Sequence, residues 1–247
     1  MTGTNAPWRR WSGPVLRWLL PSSCALCGAA GDAVVCRDCE EAYAGARPRC
    51  PVCANPAGER DTALPCGACL AAPPAFDATV AACDYDAPLD ALVLQLKFGA
   101  QLALAPWMAR ILHDALHAAA LRTGLPAPDL LCPVPLGALR LVERGYNQAL
   151  EVARPLGRLI GAECVPRLAQ RILDTAAQSG VEPAERERNV RGAFAVALEE
   201  RVAGRHVGVV DDVMTSGHTL DELARVLKRA GAARVTNFVF ARTPPHK

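Results

Sequence analysis

The chain has 247 residues, of which 51% are hydrophobic and 5% aromatic, and its formal net charge is +2. This length is enough for one well-buried core and a small second module. The apolar share excludes an intrinsically disordered chain, and the small net charge by itself identifies no class of partner.

The first 20 residues are an amphipathic segment rich in tryptophan and arginine. Its apolar part is short and is interrupted by Arg17, so we expect neither a secretory signal nor a membrane span. We expect the segment to pack on the body of the protein or to fray. An interfacial helix that binds a partner, or that makes weak contact with a membrane surface, is the alternative. Without a targeting signal, a cytoplasmic location is expected.

Residues 21–73 are predicted to form a small cysteine-rich module, because eight of the 11 cysteines fall there in four C-x-x-C pairs. Each pair directs two thiolates at one point, and two pairs complete a tetrahedral site for zinc. The pattern therefore predicts two structural zinc ions. Sequential pairing is the simplest arrangement, and interleaved pairing, first with third and second with fourth, is the alternative. The predicted ligands are Cys24, Cys27, Cys36, Cys39, Cys50, Cys53, Cys66 and Cys69.

Other uses of these cysteines are less consistent with the pattern. Disulfides require an oxidising compartment, and a redox C-x-x-C motif would be single. An iron–sulfur cluster stays open as an alternative. The module has few apolar residues for a core of its own, and a bound zinc ion can contribute on the order of 10 kcal/mol to folding. The remaining thiols, Cys83, Cys132 and Cys164, lie in apolar stretches and are predicted to be core residues.

From residue 76 to the C-terminus, strand and helix patterns alternate. Strands are predicted over 76–85, 130–135, 161–165, 206–210 and 233–241. Helices are predicted over 88–100, 102–122, 136–161 with a break at Gly145, and 219–231. The alternation indicates an α/β fold with a parallel sheet and right-handed crossovers. We expect one domain over 76–247 with its core at 129–242, and a ligand beyond the carboxyl ends of its strands.

The stretch from Val209 to Leu220 carries the most specific functional signal. An apolar strand runs into Asp211 and Asp212, and a turn of small and hydroxyl residues then leads into a helix. Phosphate binds well at a helix N-terminus, where unpaired N–H groups and the helix dipole face it. Carboxylates only accept hydrogen bonds, so an adjacent pair suits a vicinal diol. The predicted ligand is a ribose phosphate; a solvated acid pair before an ordinary helix cap is the alternative.

This stretch resembles the phosphoribosyl pyrophosphate (PRPP) motif of the type I phosphoribosyltransferases. The resemblance implies that Asp211 and Asp212 hold the ribose hydroxyls at the catalytic centre. It also implies that the loop wraps the 5-phosphate, with the side chain of His218 an open question. The implied loop residues are Val213, Met214, Thr215, Ser216, Gly217, His218 and Thr219.

The whole set of motifs is similar to the ComF family. The cysteine module is followed in order by LKFG, PVPL, RGYNQA, QSG, RERNVRGAF and VVDDVMTSGHTL. Proteins of this family pair a double zinc ribbon with a type I phosphoribosyltransferase-like domain. The resemblance covers nearly the whole chain from about Cys24, and it implies a link to natural competence and DNA uptake without deciding whether a reaction is catalysed.

The resemblance also implies a pyrophosphate site. Val134 and Pro135 in PVPL correspond to the strand-end loop where pyrophosphate binds, together with Mg²⁺. Lys97 in LKFG and Arg144 in RGYNQA are the candidate cations. Each could instead be a solvated or salt-bridged side chain.

The polar segment 178–191 resembles the flexible loop that closes over PRPP in this family. Arg188 and Arg191 would reach the phosphates when it closes. Such a loop excludes water from the reacting centre.

Two functions compete at this point. The first is a PRPP-dependent transferase with an unidentified acceptor. The second is a non-catalytic competence factor that binds single-stranded DNA or a helicase. The basic middle region favours this function, whereas the small number of aromatic residues counts against it. The basic residues of that region are Arg140, Arg144, Arg154, Arg158, Arg167 and Arg171.

Overall fold

The computed structural model describes residues 23–45, 47–57, 64–173 and 190–244. The cysteine-rich part contributes two short helices, α1 (Arg37–Tyr43) and α2 (Gly67–Ala71). Each begins directly after a cysteine, Cys36 or Cys66, whose backbone is extended at the helix cap. The predicted N-terminal segment 1–20 lies outside the described residues.

The rest of the chain alternates between strands and helices. The strands are β1 (Ala78–Asp84), β2 (Leu130–Pro133), β3 (Glu163–Cys164), β4 (Ala169–Arg171), β5 (Phe194–Val196), β6 (His206–Met214) and β7 (Arg234–Arg242). The helices are α3 (Leu89–Phe98), α4 (Leu104–Thr123), α5 (Ala138–Arg144), α6 (Gln148–Ile160) and α7 (His218–Arg229). A short 3₁₀ turn lies at Glu199–Arg201.

Five strands form one parallel sheet in the order β1-β7-β6-β2-β3. This confirms the parallel α/β architecture predicted from the sequence. The sheet begins earlier than the predicted core of 129–242, because β1 pairs with β7 from Ala78 opposite Thr236. No helix among the described residues is both long enough and apolar enough to cross a membrane.

Apolar side chains bury both faces of the sheet, as expected for parallel strands. On β7, Phe238 and Phe240 belong to the core that includes residues of α4 and α6, whereas Val239 belongs to the core on the α7 side. The same alternation on β6 places Val210 in the first core and Val209 in the second. The next two residues of β6 continue this alternation into the functional site.

Strand β6 is longer than the predicted HVGVV strand. It continues through both aspartates to Met214, because β7 supplies backbone partners as far as Arg242. Since side chains alternate along a strand, Asp211 and Asp212 leave the backbone on opposite sides. The two acids are therefore neighbours in sequence that face different surroundings.

The sequence did not predict the small antiparallel pair of β4 and β5. Strands of three residues carry too little periodicity to be recognised. The Ile172 N–H donates to the Ala193 carbonyl at 2.8 Å and extends the pair by one step. The two strands thus bracket the stretch that contains the predicted closing loop, most of which lies outside the described residues.

Candidate functional site

A cleft of about 700 Å³ opens at the carboxyl ends of β1, β2 and β6. This is where ligands bind in open parallel sheets. Nine of the predicted site residues line it: Asp211, Asp212, Val213, Thr215, Thr219, Val134, Pro135, Lys97 and Arg144. The fold therefore brings together residues that are more than 100 positions apart in sequence.

Asp212 is a buried carboxylate with a cationic partner. Its side chain is 4% exposed, and Oδ2 lies 2.9 Å from Nζ of Lys97, which is 23% exposed. Oδ1 accepts a hydrogen bond from the backbone N–H of Val213 at 2.9 Å. Helix α3 thus covers the Asp212 side of β6 and neutralises its charge.

Asp211 lies on the other side of the strand, where the pKa of its carboxyl is shifted. Removal from water and the negative charge of Asp212 raise the pKa of its carboxyl well above the usual range, and Lys97 offsets only part of this effect. Oδ1 of Asp211 accepts the N–H of Asp212 at 2.9 Å. The side-chain oxygens of the two acids give the pair several hydrogen-bond acceptors, which suits a diol.

We expect Asp211→Asn to stabilise the protein near neutral pH. A carboxyl with a raised pKa in the folded state opposes folding once the pH exceeds its unfolded pKa of about 3.9. The gain in Tm over the parent should therefore be absent near pH 4, grow as the pH rises, and level off above the raised pKa. Thermal unfolding scans across this pH range measure the gain, and each kcal/mol of added stability should raise the Tm by about 2–4 °C. A variant that melts below the parent at pH 7.5 would contradict it.

The loop after β6 is shaped for an anion. Gly217 has a φ of +89°, a left-handed backbone conformation that is strained for residues with a side chain and favours glycine. Helix α7 starts at His218, and its first hydrogen bond to the loop joins the Asp221 N–H to the Gly217 carbonyl at 2.9 Å. The N–H groups of the preceding turn are left free of helix acceptors.

Helix α5 and the start of α6 form the opposite wall of the cleft. The guanidinium of Arg144 donates to Oε1 of Gln148 and lies 5.4 Å from the ring centre of Phe98. Asn147 caps α6 through its side-chain oxygen and donates from Nδ2 to the Val134 carbonyl at 3.0 Å. This links the RGYNQA motif directly to the PVPL strand end.

Nine lining residues were not predicted as site residues: Tyr85, Phe98, Ala100, Leu136, Arg140, Glu143, Tyr146, Gln148 and Arg171. Tyr146 and Gln148 lie inside the RGYNQA motif, so the motif itself was the available signal for them. The Tyr146 hydroxyl donates to the Leu96 carbonyl and fixes α3 against this wall. Tyr85 directly follows β1 and Arg171 ends β4, and no local pattern identifies either of them.

Other predicted residues do not line the cleft. Met214 is buried, and Ser216, Gly217 and His218 lie beyond the lining residues in the turn and first helical residue. Arg191 is exposed just before β5 and is not among the lining residues. Arg188 lies outside the described residues. The phosphate and pyrophosphate roles of all these residues stay predictions.

The eight predicted zinc ligands form two groups of four. Cys24, Cys27, Cys36 and Cys39 make one group, and Cys50, Cys53, Cys66 and Cys69 make the other, with the Sγ atoms of each group within 4.8 Å of one another. The pairing is therefore sequential and not interleaved. None of the 11 cysteines is in a disulfide.

The geometry of both groups fits a tetrathiolate zinc site. The Sγ atoms of Cys27 and Cys36 are 3.7 Å apart, and those of Cys53 and Cys66 are 3.6 Å apart. A tetrahedron with Zn–S bonds of about 2.3 Å has edges of about 3.8 Å. Burial acts to raise the pKa of Cys24, but backbone N–H groups that donate to its sulfur lower that pKa to about 6, which favours the thiolate.

Each cysteine group is attached to the sheet domain by its own contacts. In the first group, Glu40 of α1 accepts from Nε1 of Trp107 at 2.7 Å and pairs with Arg110. In the second, the Pro51 carbonyl accepts from the N–H of Thr79 at 3.1 Å and so covers part of the edge strand β1. Neither contact involves the metal ligands' own side chains.

Two family models match the chain. The model of the double zinc ribbon domain matches residues 15–70, and the model of the phosphoribosyl transferase domain matches residues 110–246. Together they cover both cysteine groups and the cleft residues from β2 onward.

Several curated proteins are similar over most of their length. The DNA utilization protein YhgH of Salmonella typhi is 39% identical over 209 residues, which is 85% of this chain and 90% of that protein. YhgH of Escherichia coli K12 is 38% identical over 228 residues, or 91% and 98% of the two chains. Competence protein F of Haemophilus influenzae is 33% identical over 178 residues, or 72% and 78%.

Among solved structures, a glutamine PRPP amidotransferase from B. subtilis, complexed with ADP and GMP, aligns with a TM-score of 0.37 and 18% identity. The alignment covers 56% of this chain and only 26% of that chain. The curated relatives and the two family models show that the chain belongs to the ComF family, in which a double zinc ribbon precedes a phosphoribosyltransferase domain.

Proposed function

We propose that the cleft binds PRPP with Mg²⁺ and that the protein transfers the phosphoribosyl group to an acceptor not yet identified. The observation that carries the proposal is the meeting of the acid pair, Asp211 and Asp212, with a glycine-shaped anion loop and a cationic wall in one cleft. The wall contributes Lys97, Arg140, Arg144 and Arg171. A ribose with a phosphate at one end and a diphosphate at the other matches these three features in order.

In this mechanism the protein mainly positions groups and stabilises charge. The loop from Thr215 to Thr219 would hold the 5-phosphate, and the acid pair would hold the ribose hydroxyls. The bond from the anomeric carbon to the diphosphate oxygen breaks, a bond to the acceptor forms, and pyrophosphate leaves with its electron pair. The arginines and Lys97 would stabilise the charge that develops on the leaving group.

The donor set of the cleft fits magnesium. Mg²⁺ prefers oxygen ligands, and Asp211, Asp212 and Glu143 present carboxylate oxygens beside the proposed diphosphate site. When bound, the ion supplies charge neutralisation for the diphosphate.

Calorimetric titration with PRPP and Mg²⁺ tests the binding step. The double variant Asp211→Asn with Asp212→Asn should weaken binding about 100-fold or more, since two hydrogen-bonded charged groups contribute about 1.5–3 kcal/mol each. The matched control is Glu199→Gln with Glu200→Gln, another adjacent acid pair that is exposed and remote from the cleft lining. Absence of PRPP binding in the parent protein would refute the proposal.

Pyrophosphate release with a panel of acceptors then tests the transfer step. PRPP binding without release for any acceptor would leave a binding protein and refute transfer. A cytoplasmic location is proposed as well, since that compartment keeps thiols reduced and none of the 11 cysteines is in a disulfide.

A second candidate function is non-catalytic binding of single-stranded DNA or of a helicase. It is favoured by the names of the relatives, which refer to DNA utilization and competence. Its test is fluorescence anisotropy with a labelled oligonucleotide. Affinity should fall with salt and with Arg144→Ala, and an affinity insensitive to both would exclude a phosphate-tracking surface at this wall.

A further inference from the structure

Arg242, the last residue of β7, connects the second cysteine group to the loop of the cleft. Its side chain is buried, with 5% exposure. On one side Nε donates to the Cys53 carbonyl at 3.0 Å. On the other side Nη1 donates to the Met214 carbonyl at 3.1 Å and to the Thr215 carbonyl. One guanidinium therefore connects the segment around the predicted zinc ligand Cys53 to Met214 and Thr215, where the anion loop begins.

The charge of Arg242 has no carboxylate partner among the described residues. An unpaired buried cation is strongly unfavourable. The hydrogen bond from Nε to the Cys53 carbonyl places the guanidinium against the second cysteine group, whose thiolates supply opposite charge on that side. A tetrathiolate zinc centre carries a net charge of about −2, so it can compensate this arginine through the low-dielectric interior.

The loop depends on these carbonyl contacts for its path. The Met214 carbonyl accepts from both Arg242 and the Thr243 N–H, at 3.1 and 3.0 Å. The next residue, Thr215, lines the cleft with its own carbonyl turned to Arg242. Two consecutive carbonyls held on one side leave the following N–H groups of the turn available to a ligand.

We propose that Arg242 is a positioning residue for the anion loop and that it makes the order of this loop depend on zinc at the second cysteine group. The zinc–thiolate charge holds the guanidinium in place, and the guanidinium holds Met214 and Thr215. The zinc ribbon is in this way part of the support of the cleft.

The first cysteine group provides an internal contrast. It is attached to the sheet domain through Glu40, Trp107 and Arg110 on α4. None of these three residues lines the cleft or contacts the loop in the described part of the chain. Loss of zinc from the first cysteine group should therefore leave the hydrogen exchange of the anion loop unchanged.

Hydrogen–deuterium exchange of the full-length, zinc-loaded protein tests the proposal without any ligand. Peptides over residues 213–219 should exchange about 10-fold faster in Arg242→Met and in Cys69→Ser than in the parent. Arg242→Lys keeps the charge but has fewer donors, so its exchange rate over this loop should lie between those of the parent and of Arg242→Met. The controls are Arg234→Met, an arginine at the other end of β7, and Cys27→Ser in the first group. Both should keep the parental exchange rate over this loop.

A second readout follows PRPP affinity in the same variants, and only this arm rests on the proposed function. If the parent does not bind PRPP, the exchange data still decide the role of Arg242. Unchanged loop exchange in folded Arg242→Met would overturn the proposal. Equal acceleration in Cys27→Ser and Cys69→Ser would also overturn it, because zinc would then act through general stability. If Arg242→Met does not fold, Arg242→Lys and Cys69→Ser carry the same test.

Discussion

Replacing one ligand of either cysteine group by serine is expected to remove one of two zinc ions per chain and to unfold that part of the ribbon. A structural zinc site contributes on the order of 10 kcal/mol, which is as large as the whole stability of a typical domain. Cys24→Ser and Cys53→Ser represent the two groups. Metal analysis should give about two zinc ions for the parent and about one for each variant.

The matched control for this experiment is Cys164→Ser, which changes a partly buried thiol outside both groups. It should keep both zinc ions. Limited proteolysis should cut the ribbon of the ligand variants while the parallel sheet, with its own core on both faces, resists. A parent protein without zinc and with disulfides between these cysteines would contradict the assignment.

Lys97→Met is expected to destabilise the protein by about 2–3 kcal/mol. It leaves the Asp212 carboxylate buried without its cation, and breaking a fully buried ion pair in this way costs about 3–5 kcal/mol. The loss is smaller here because the Lys97 side chain keeps 23% exposure. Urea unfolding at pH 7 measures it.

The double variant Lys97→Met with Asp212→Asn should recover most of this loss, since it removes the orphaned charge together with its partner. A control at a surface pair is Arg37→Met, whose partner Glu41 is 62% exposed. That variant should change stability by less than about 1 kcal/mol. A Lys97→Met effect no larger than that of Arg37→Met would show that the pair does not stabilise the fold.

Local sequence was informative where a function needs residues close together in the chain. The spacing of the cysteines predicted both zinc sites, and the run from Val209 to Leu220 predicted a strand, an acid pair, an anion loop and a helix. Strand β6 nevertheless extends through the acids, because its length depends on how far β7 runs beside it. That pairing is a long-range property, so the predicted strand end was too early.

The surroundings of the acids could not be predicted from the chain near them. Asp211 and Asp212 have the same side chain and adjacent positions, yet one has a strongly raised pKa and the other is paired with Lys97. The difference comes from the packing of α3 on one face of the sheet. Similarly, Arg242 reads as an ordinary residue at the end of an apolar strand.

The sequence by itself determined the two modules, the parallel α/β class, the ligand types of the metal sites and the identity of the acid pair. These follow from periodicity and from spacings of a few residues, which local backbone geometry converts directly into shape. Only the tertiary structure decided the sequential pairing of the cysteines, the burial of Asp212 against Lys97 and the path from the second cysteine group through Arg242 to the loop. Those contacts join residues far apart in the chain, and their energies come from burial and charge that exist only after the elements have packed.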